Sequence, residues 1–171
     1  KDLVRYARLN KIAIDFDSND YLGFASDSEL FKQIYQYLKD QDAIQNWSSG
    51  SRLLSGNHQL FKELELFLSK THQTDSAIVF NSGDDANLGL LSCVPQRNDI
   101  VLYDKLCHAS IRDGLKLSNA KSISFDHNNL FLLEQKLTKY PNTEEREIYI
   151  VTESVFSMDG DIAPLDEVTQ L

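Results

Sequence analysis

The sequence predicts an α/β fold: three layers built on a mostly parallel sheet. From residue 76 onward the short runs SAIVF, DIVLY, KSISF and EIYIV, rich in β-branched residues, alternate with helical stretches of about ten residues. Strands separated by connections of helix length form βαβ units, whose sheet is parallel and covered on both faces. Composition agrees, since 42% hydrophobic and 25% charged residues, with only 7 Gly and 3 Pro, suit a packed core rather than a disordered or collagenous chain.

The elements follow in order. IAIDF at 12–16 reads as a short strand, and SNDYLGF at 18–24 as a turn marked by Asn, Asp and Gly. Leu30, Phe31, Ile34, Tyr35 and Leu38 recur at helical spacing behind Asp27 or Ser28 as N-cap. The Ser- and Gly-rich stretch 46–57 has no clean period and reads as a loop, and Leu60, Phe61, Leu64, Phe67 and Leu68 then restore an amphipathic helix. SAIVF at 76–80 reads as a buried strand that Asn81, Ser82 and Gly83 turn into a helix ending at Pro95. Strands are expected at 99–103, 121–125 and 147–151, with helices from His108 to Leu117, from Leu130 to Leu137 and from Leu165 onward.

Charge and cysteine usage exclude several classes of function. The net charge of -9 is local, because residues 141–171 hold eight acids and one base. No Lys/Arg run offers a phosphate-backbone stripe, which argues against nucleic-acid binding. No stretch reaches the ~18–20 apolar residues of a membrane span. Cys93 and Cys107 lack metal-type or disulfide-rich spacing, so a reducing, cytoplasmic setting without a metal is expected. Neither G-x-S-x-G, G-x-G-x-x-G nor a P-loop occurs, so serine-hydrolase, dinucleotide and P-loop readings have no motif behind them.

Three stretches gather chemistry where strands hand over to helices, the edge at which open α/β sheets bind ligands. FNSGDDAN puts Gly83 and its neighbours at a helix start, where backbone N–H groups suit a phosphate. Ordinary capping by Asn81, Ser82 or Asp84 reads equally well there, and Asp84 and Asp85 repel a phosphate unless their side chains turn aside. DKLCHASIRDG places His108 at a second such step, as ligand contact or as a capped, solvated residue. TESVFSMDGD follows the 147–151 strand with Glu153, Ser154, Ser157, Asp159 and Asp161, a ligand-side cluster or a solvated acidic loop.

These three stretches, with SNDYLGF and GSRLLSGNH, stand in the order and roughly the spacing found in the α-oxoamine synthases, which the chain resembles from about residue 12 to residue 166. That family comprises fold-type-I pyridoxal-phosphate (PLP) enzymes that join an amino acid to an acyl thioester with loss of carbon dioxide. The resemblance implies an N-terminal segment, 1–45, followed by the first part of the large PLP-binding domain, 46–171. It places Gly83 and Asp84 at the phosphate, His108 as the catalytic histidine stacked on the pyridine ring, and Glu153 and Ser157 beside the cofactor. Asn19 falls to the substrate carboxylate, and Arg5, with Arg8 as the alternative, to substrate binding. Asp84 stands where relatives carry Tyr or Phe, and Cys107 where many carry Asn.

The likeness is greatest to the branch serving biotin synthesis, which condenses L-alanine with a pimeloyl thioester of coenzyme A or acyl carrier protein. A sister activity such as the condensation of glycine with an acetyl thioester is the alternative. The family is homodimeric with its site at the interface. The Asp-x-x-His and the Schiff-base lysine of the family are expected beyond Leu171, so the chain alone is expected to be inactive or a structural piece.

Overall fold

Residues 18–45 and 48–171 are described by a computed structural model, and they fall into two compact units, Lys1–His58 and Gln59–Leu171. The expected strand at 12–16 lies outside the described residues. In the first unit Gly23, at φ 73°, closes the turn after Asn19 and leads into a short 3-10 helix, Phe24–Ser26. Helix α1, Ser28–Asp40, follows; the Asp27 carboxylate accepts from Glu29 N at 2.9 Å and Leu30 N at 3.0 Å, which identifies Asp27 as the cap.

The second unit opens with α2 (Gln59–His72) and α3 (Gly83–Cys93). Then come β1 (Ile100–Asp104), α4 (Ala109–Leu117), β2 (Lys121–Phe125), α5 (Leu130–Lys139), β3 (Ile148–Val151) and the single turn α6 (Leu165–Val168). The sheet has the order β2-β1-β3 and is parallel throughout, with Val101 opposite Ser122 and Tyr149. Strand period 2 sorts its core onto two faces. Val101 packs with Leu91, Cys107, Ile111 and Leu115 from α3, α4 and the step before α4, whereas Ile100 and Leu102 pack with Phe125 and with Leu133 of α5. Val101, Leu102 and Leu133 are fully buried, each a contribution of roughly 1.5–3 kcal/mol.

One expected strand is absent. Residues 76–80 have no ladder partner among the described residues; Val79 N–H donates to Glu65 Oε1 at 3.0 Å instead, and Ile78 is exposed. A β-branched run supplies the propensity for a strand, but a neighbouring backbone must supply the hydrogen bonds. Both sides of β1 are taken by β2 and β3.

This topology creates a crevice. The chain leaves β1 through α4 to reach β2 on one side, then returns past β1 through α5 to reach β3 on the other. Crossovers of one hand in opposite directions need helices on opposite faces, and the core clusters show that arrangement. The connection after β1 enters α4 on one face, whereas that after β3 enters α6, whose Val168 packs on the other, so the two diverge and leave a topological switch point at the carboxyl ends of β1 and β3.

Candidate active site

The switch point brings two of the candidate residues together. His108 lies in the connection after β1 and Glu153 in that after β3, and the His108 backbone N–H donates to Glu153 Oε1 across the gap. His108 is also the N-cap of α4, its Nδ1 accepting from Ser110 N–H at 3.2 Å. The capped reading is thus correct, and it leaves the imidazole half exposed above the crevice.

Capping fixes the histidine's chemistry. A backbone N–H only donates, so Nδ1 presents its lone pair and the neutral ring carries its proton on Nε2. Ser110 Oγ lies 2.8 Å from the same Nδ1 and receives Asn87 Nδ2–H from α3 at 3.0 Å, which leaves the hydroxyl proton for the imidazole. Ser110, at the centre of this relay, is 7% exposed. The helices approach closely enough for it because α4 carries Gly114 at the crossing, where a Cβ would meet Asn87 O at 2.9 Å.

The start of α3 faces the same ring. Ser82 caps it, accepting Asp85 N–H at 3.0 Å, while the N–H groups of Gly83 and Asp84 belong to the first turn and have no intrahelical acceptor. A Cβ at Gly83 would meet nothing within 4 Å, so the space over this end is open. Asp84 Oδ1 lies 3.6 Å from His108 Nδ1, turned toward the imidazole edge rather than capping its own helix. An open helix N-terminus beside an exposed imidazole fits an aromatic ring bearing a phosphate, although the Asp84 carboxylate nearby opposes the phosphate's charge.

Ser157 sits at the exposed tip of the loop after β3 and makes no hydrogen bond to His108, Asp84 or Glu153. Asn19 is exposed in the unit that ends at His58, and Arg5 and Arg8 lie outside the described residues. Cys107 is buried against Val101 and Ile111. Burial pushes its thiol up to about 11, with Glu153 and Asp104 adding to the rise against Arg112, so Cys107 is no nucleophile.

The sequence reading missed a second polar cluster at the third strand end. His127, after β2, is held between Asp104 at the end of β1 and Asp161 in the loop after β3. The rule that singled out His108, a histidine directly after a strand, applies equally to His127. Asn87 and Ser110 carried no such signal, because their pairing spans 23 residues and two helices.

The family model described as aminotransferase class I and II matches residues 11–171. The chain belongs to this family. Within it, the expected relationship to the α-oxoamine synthases holds. The 8-amino-7-oxononanoate synthase of Haemophilus ducreyi is 44% identical over 164 residues, covering 95% of this chain and 42% of that protein. Among solved structures, the serine palmitoyltransferase of S. paucimobilis with its PLP–myriocin aldimine bound superposes with a TM-score of 0.77 at 34% identity, over 88% of this chain and 38% of that one. The 8-amino-7-oxononanoate synthase of Francisella tularensis gives 0.68 at 32% identity, over 92% and 42%. The chain therefore spans about two-fifths of the length of the relatives it matches. The fold-type-I expectation is met by these neighbours and by the parallel sheet.

Proposed function

We propose that the full-length protein is a PLP-dependent acyltransferase that condenses L-alanine with a pimeloyl thioester, of coenzyme A or acyl carrier protein, to 8-amino-7-oxononanoate and carbon dioxide in biotin synthesis. One observation carries the reading: His108 and Glu153 join across the switch point beside the open α3 N-terminus. PLP, when bound, supplies the electron sink for chemistry at the amino acid's α-carbon. The chain's residues bind and orient. The N–H groups of Gly83 and Asp84 hold the phosphate, and the His108 face stacks on the pyridine ring, braced through Ser110 and Asn87. Glu153 fixes the backbone of His108 and so the height of the ring above the crevice. Ser157 makes a second cofactor contact; Asn19 and Arg5 meet the substrate carboxylate. We include in the proposal a homodimeric, cytoplasmic enzyme; no helix among the described residues is long and apolar enough to cross a membrane.

A second reading has a specific observation in its favour, the higher structural likeness to serine palmitoyltransferases, and pairs L-serine with a long-chain acyl thioester. The test is a product assay on the purified full-length protein with three substrate pairs: alanine with pimeloyl-CoA, serine with palmitoyl-CoA, and glycine with acetyl-CoA. Turnover is expected with the first pair; turnover confined to either of the others would replace the proposed substrates. Asp84→Tyr is expected to tighten PLP binding severalfold in equilibrium dialysis, because a carboxylate leaves the phosphate's surroundings. Unchanged affinity would place the phosphate away from Asp84.

A further inference from the structure

The loop after β3 folds back on itself. Val155 bridges Ile162, Phe156 N–H donates to Asp161 O at 2.9 Å, Gly160 N–H to Phe156 O at 2.8 Å, and Gly160 takes φ 74° to close the tip. Its tip, Ser157 to Gly160, is exposed, so the turn is held in place from its base. That base rests on His127. The Phe156 ring, 2% exposed, meets the imidazole edge-on at 4.5 Å, and Asp161 Oδ2 lies 2.6 Å from His127 Nε2.

On the other side of the imidazole, Asp104 is fully buried at the end of β1. Its oxygens accept from Leu106 N–H at 2.8 Å and Asn128 N–H at 2.9 Å, and lie 3.0 and 3.1 Å from His127 Nδ1. Both ring nitrogens thus face carboxylate oxygens; the Asn128 side-chain nitrogen also lies 3.3 Å from Nε2, but its shorter contact, at 2.8 Å, is to Asp161. Ionised carboxylates only accept, and a neutral imidazole has one N–H, so two filled hydrogen bonds require a ring carrying two protons. Asn128 reinforces the same link. At φ 51°, a conformation Asn tolerates, it donates its backbone N–H to Asp104 and its side-chain amide to Asp161 at 2.8 Å. The remaining charges nearby, Lys105 and Asp126, pair with each other at 2.9 Å on the surface.

We propose that His127 is a positioning residue: held as an imidazolium between Asp104 and Asp161, it clasps the loop carrying Glu153 and Ser157 to the carboxyl edge of the sheet. Its effect on the cofactor rests on the function proposed above; the clasp itself does not. Asp104 is the fully buried member of this set, and a buried charge strongly penalises the loss of its partner, which suits His127 to fixing one arrangement of the loop.

The test uses the full-length, cofactor-free protein. Nitrogen-15 histidine spectra at pH about 6.5, where an ordinary histidine is about half protonated, are expected to show both His127 nitrogens protonated, with His127→Gln providing the assignment. In Asp161→Asn, amide exchange at Phe156 and Gly160 is expected to accelerate at least about tenfold while amides of β1 are unchanged. A deprotonated His127 nitrogen in the unsubstituted protein, or unchanged exchange at Phe156 and Gly160, would overturn the clasp. PLP affinity is read separately by dialysis and should fall in Asp161→Asn. Faster loop exchange with unaltered PLP affinity would support the clasp and reject Glu153 and Ser157 as cofactor-side residues.

Discussion

His108 shows how much of a residue's role comes from two neighbours that touch no ligand. Ser110 and Asn87 decide which nitrogen bears the proton and which way the ring faces. Ser110→Ala leaves Asn87 without its acceptor in a largely buried place, and a stability loss of about 1–2 kcal/mol is expected in urea denaturation. The two cysteines make a sharper contrast. Cys93 is exposed and Cys107 buried with its thiol raised to about 11. Alkylation of the native protein at pH about 8 should label Cys93 and spare Cys107 when peptides are mapped, because the thiolate is the reacting species. Labelling of Cys107 at a comparable rate would contradict its buried position.

Among the elements, α3 and α4 set the site's width, and two of their three glycines do different work. At Gly114 a Cβ would press on Asn87 O at 2.9 Å and Leu91 Cβ at 3.1 Å. Gly114→Ala gains roughly 1 kcal/mol of helix propensity but forces the helices apart at a typical cost of about 1–3 kcal/mol. A net loss is expected, seen as a lower thermal midpoint, since the nearest obstacle is backbone. Gly83→Ala meets no obstacle and should leave that midpoint within about a degree or raise it slightly. Helices and sheet strands were legible because each has a local period. The segment 76–80 was not, since its composition matches a strand while its backbone has no ladder partner among the described residues, and pairing is a property of two segments.

Across the whole molecule, the acidity of residues 141–171 is partly absorbed by the site: Glu153 receives the His108 N–H and Asp161 the His127 imidazole. The second of these makes stability depend on pH. Burial, the largest single influence on His127, works against its charged form, but its hydrogen bonds to the Asp104 and Asp161 carboxylates, with their negative charges, outweigh it and raise the pKa above the usual 6.5. A pKa raised in the folded state contributes stability that is complete below the unfolded value and is lost as pH rises through the folded one. Urea midpoints of the full-length protein should therefore fall from near neutral pH into the alkaline range, and His127→Gln should flatten that slope.

The sequence by itself determined the α/β class, the order of helices and strands from residue 99 onward, and, through motif resemblance, His108, Gly83, Asp84 and Glu153 as site candidates. These are legible because hydrophobic period, capping residues and motif spacing are written along the chain. Only the tertiary structure decided that Glu153 reaches His108, that Asn87 and Ser110 set the imidazole's proton, and that His127 gathers Asp104 and Asp161. The Asn87–Ser110 contact follows from α3 packing on α4; the others, between residues 23 to 45 positions apart, exist because parallel crossovers bring the carboxyl ends of β1, β2 and β3 side by side. No local pattern encodes that meeting.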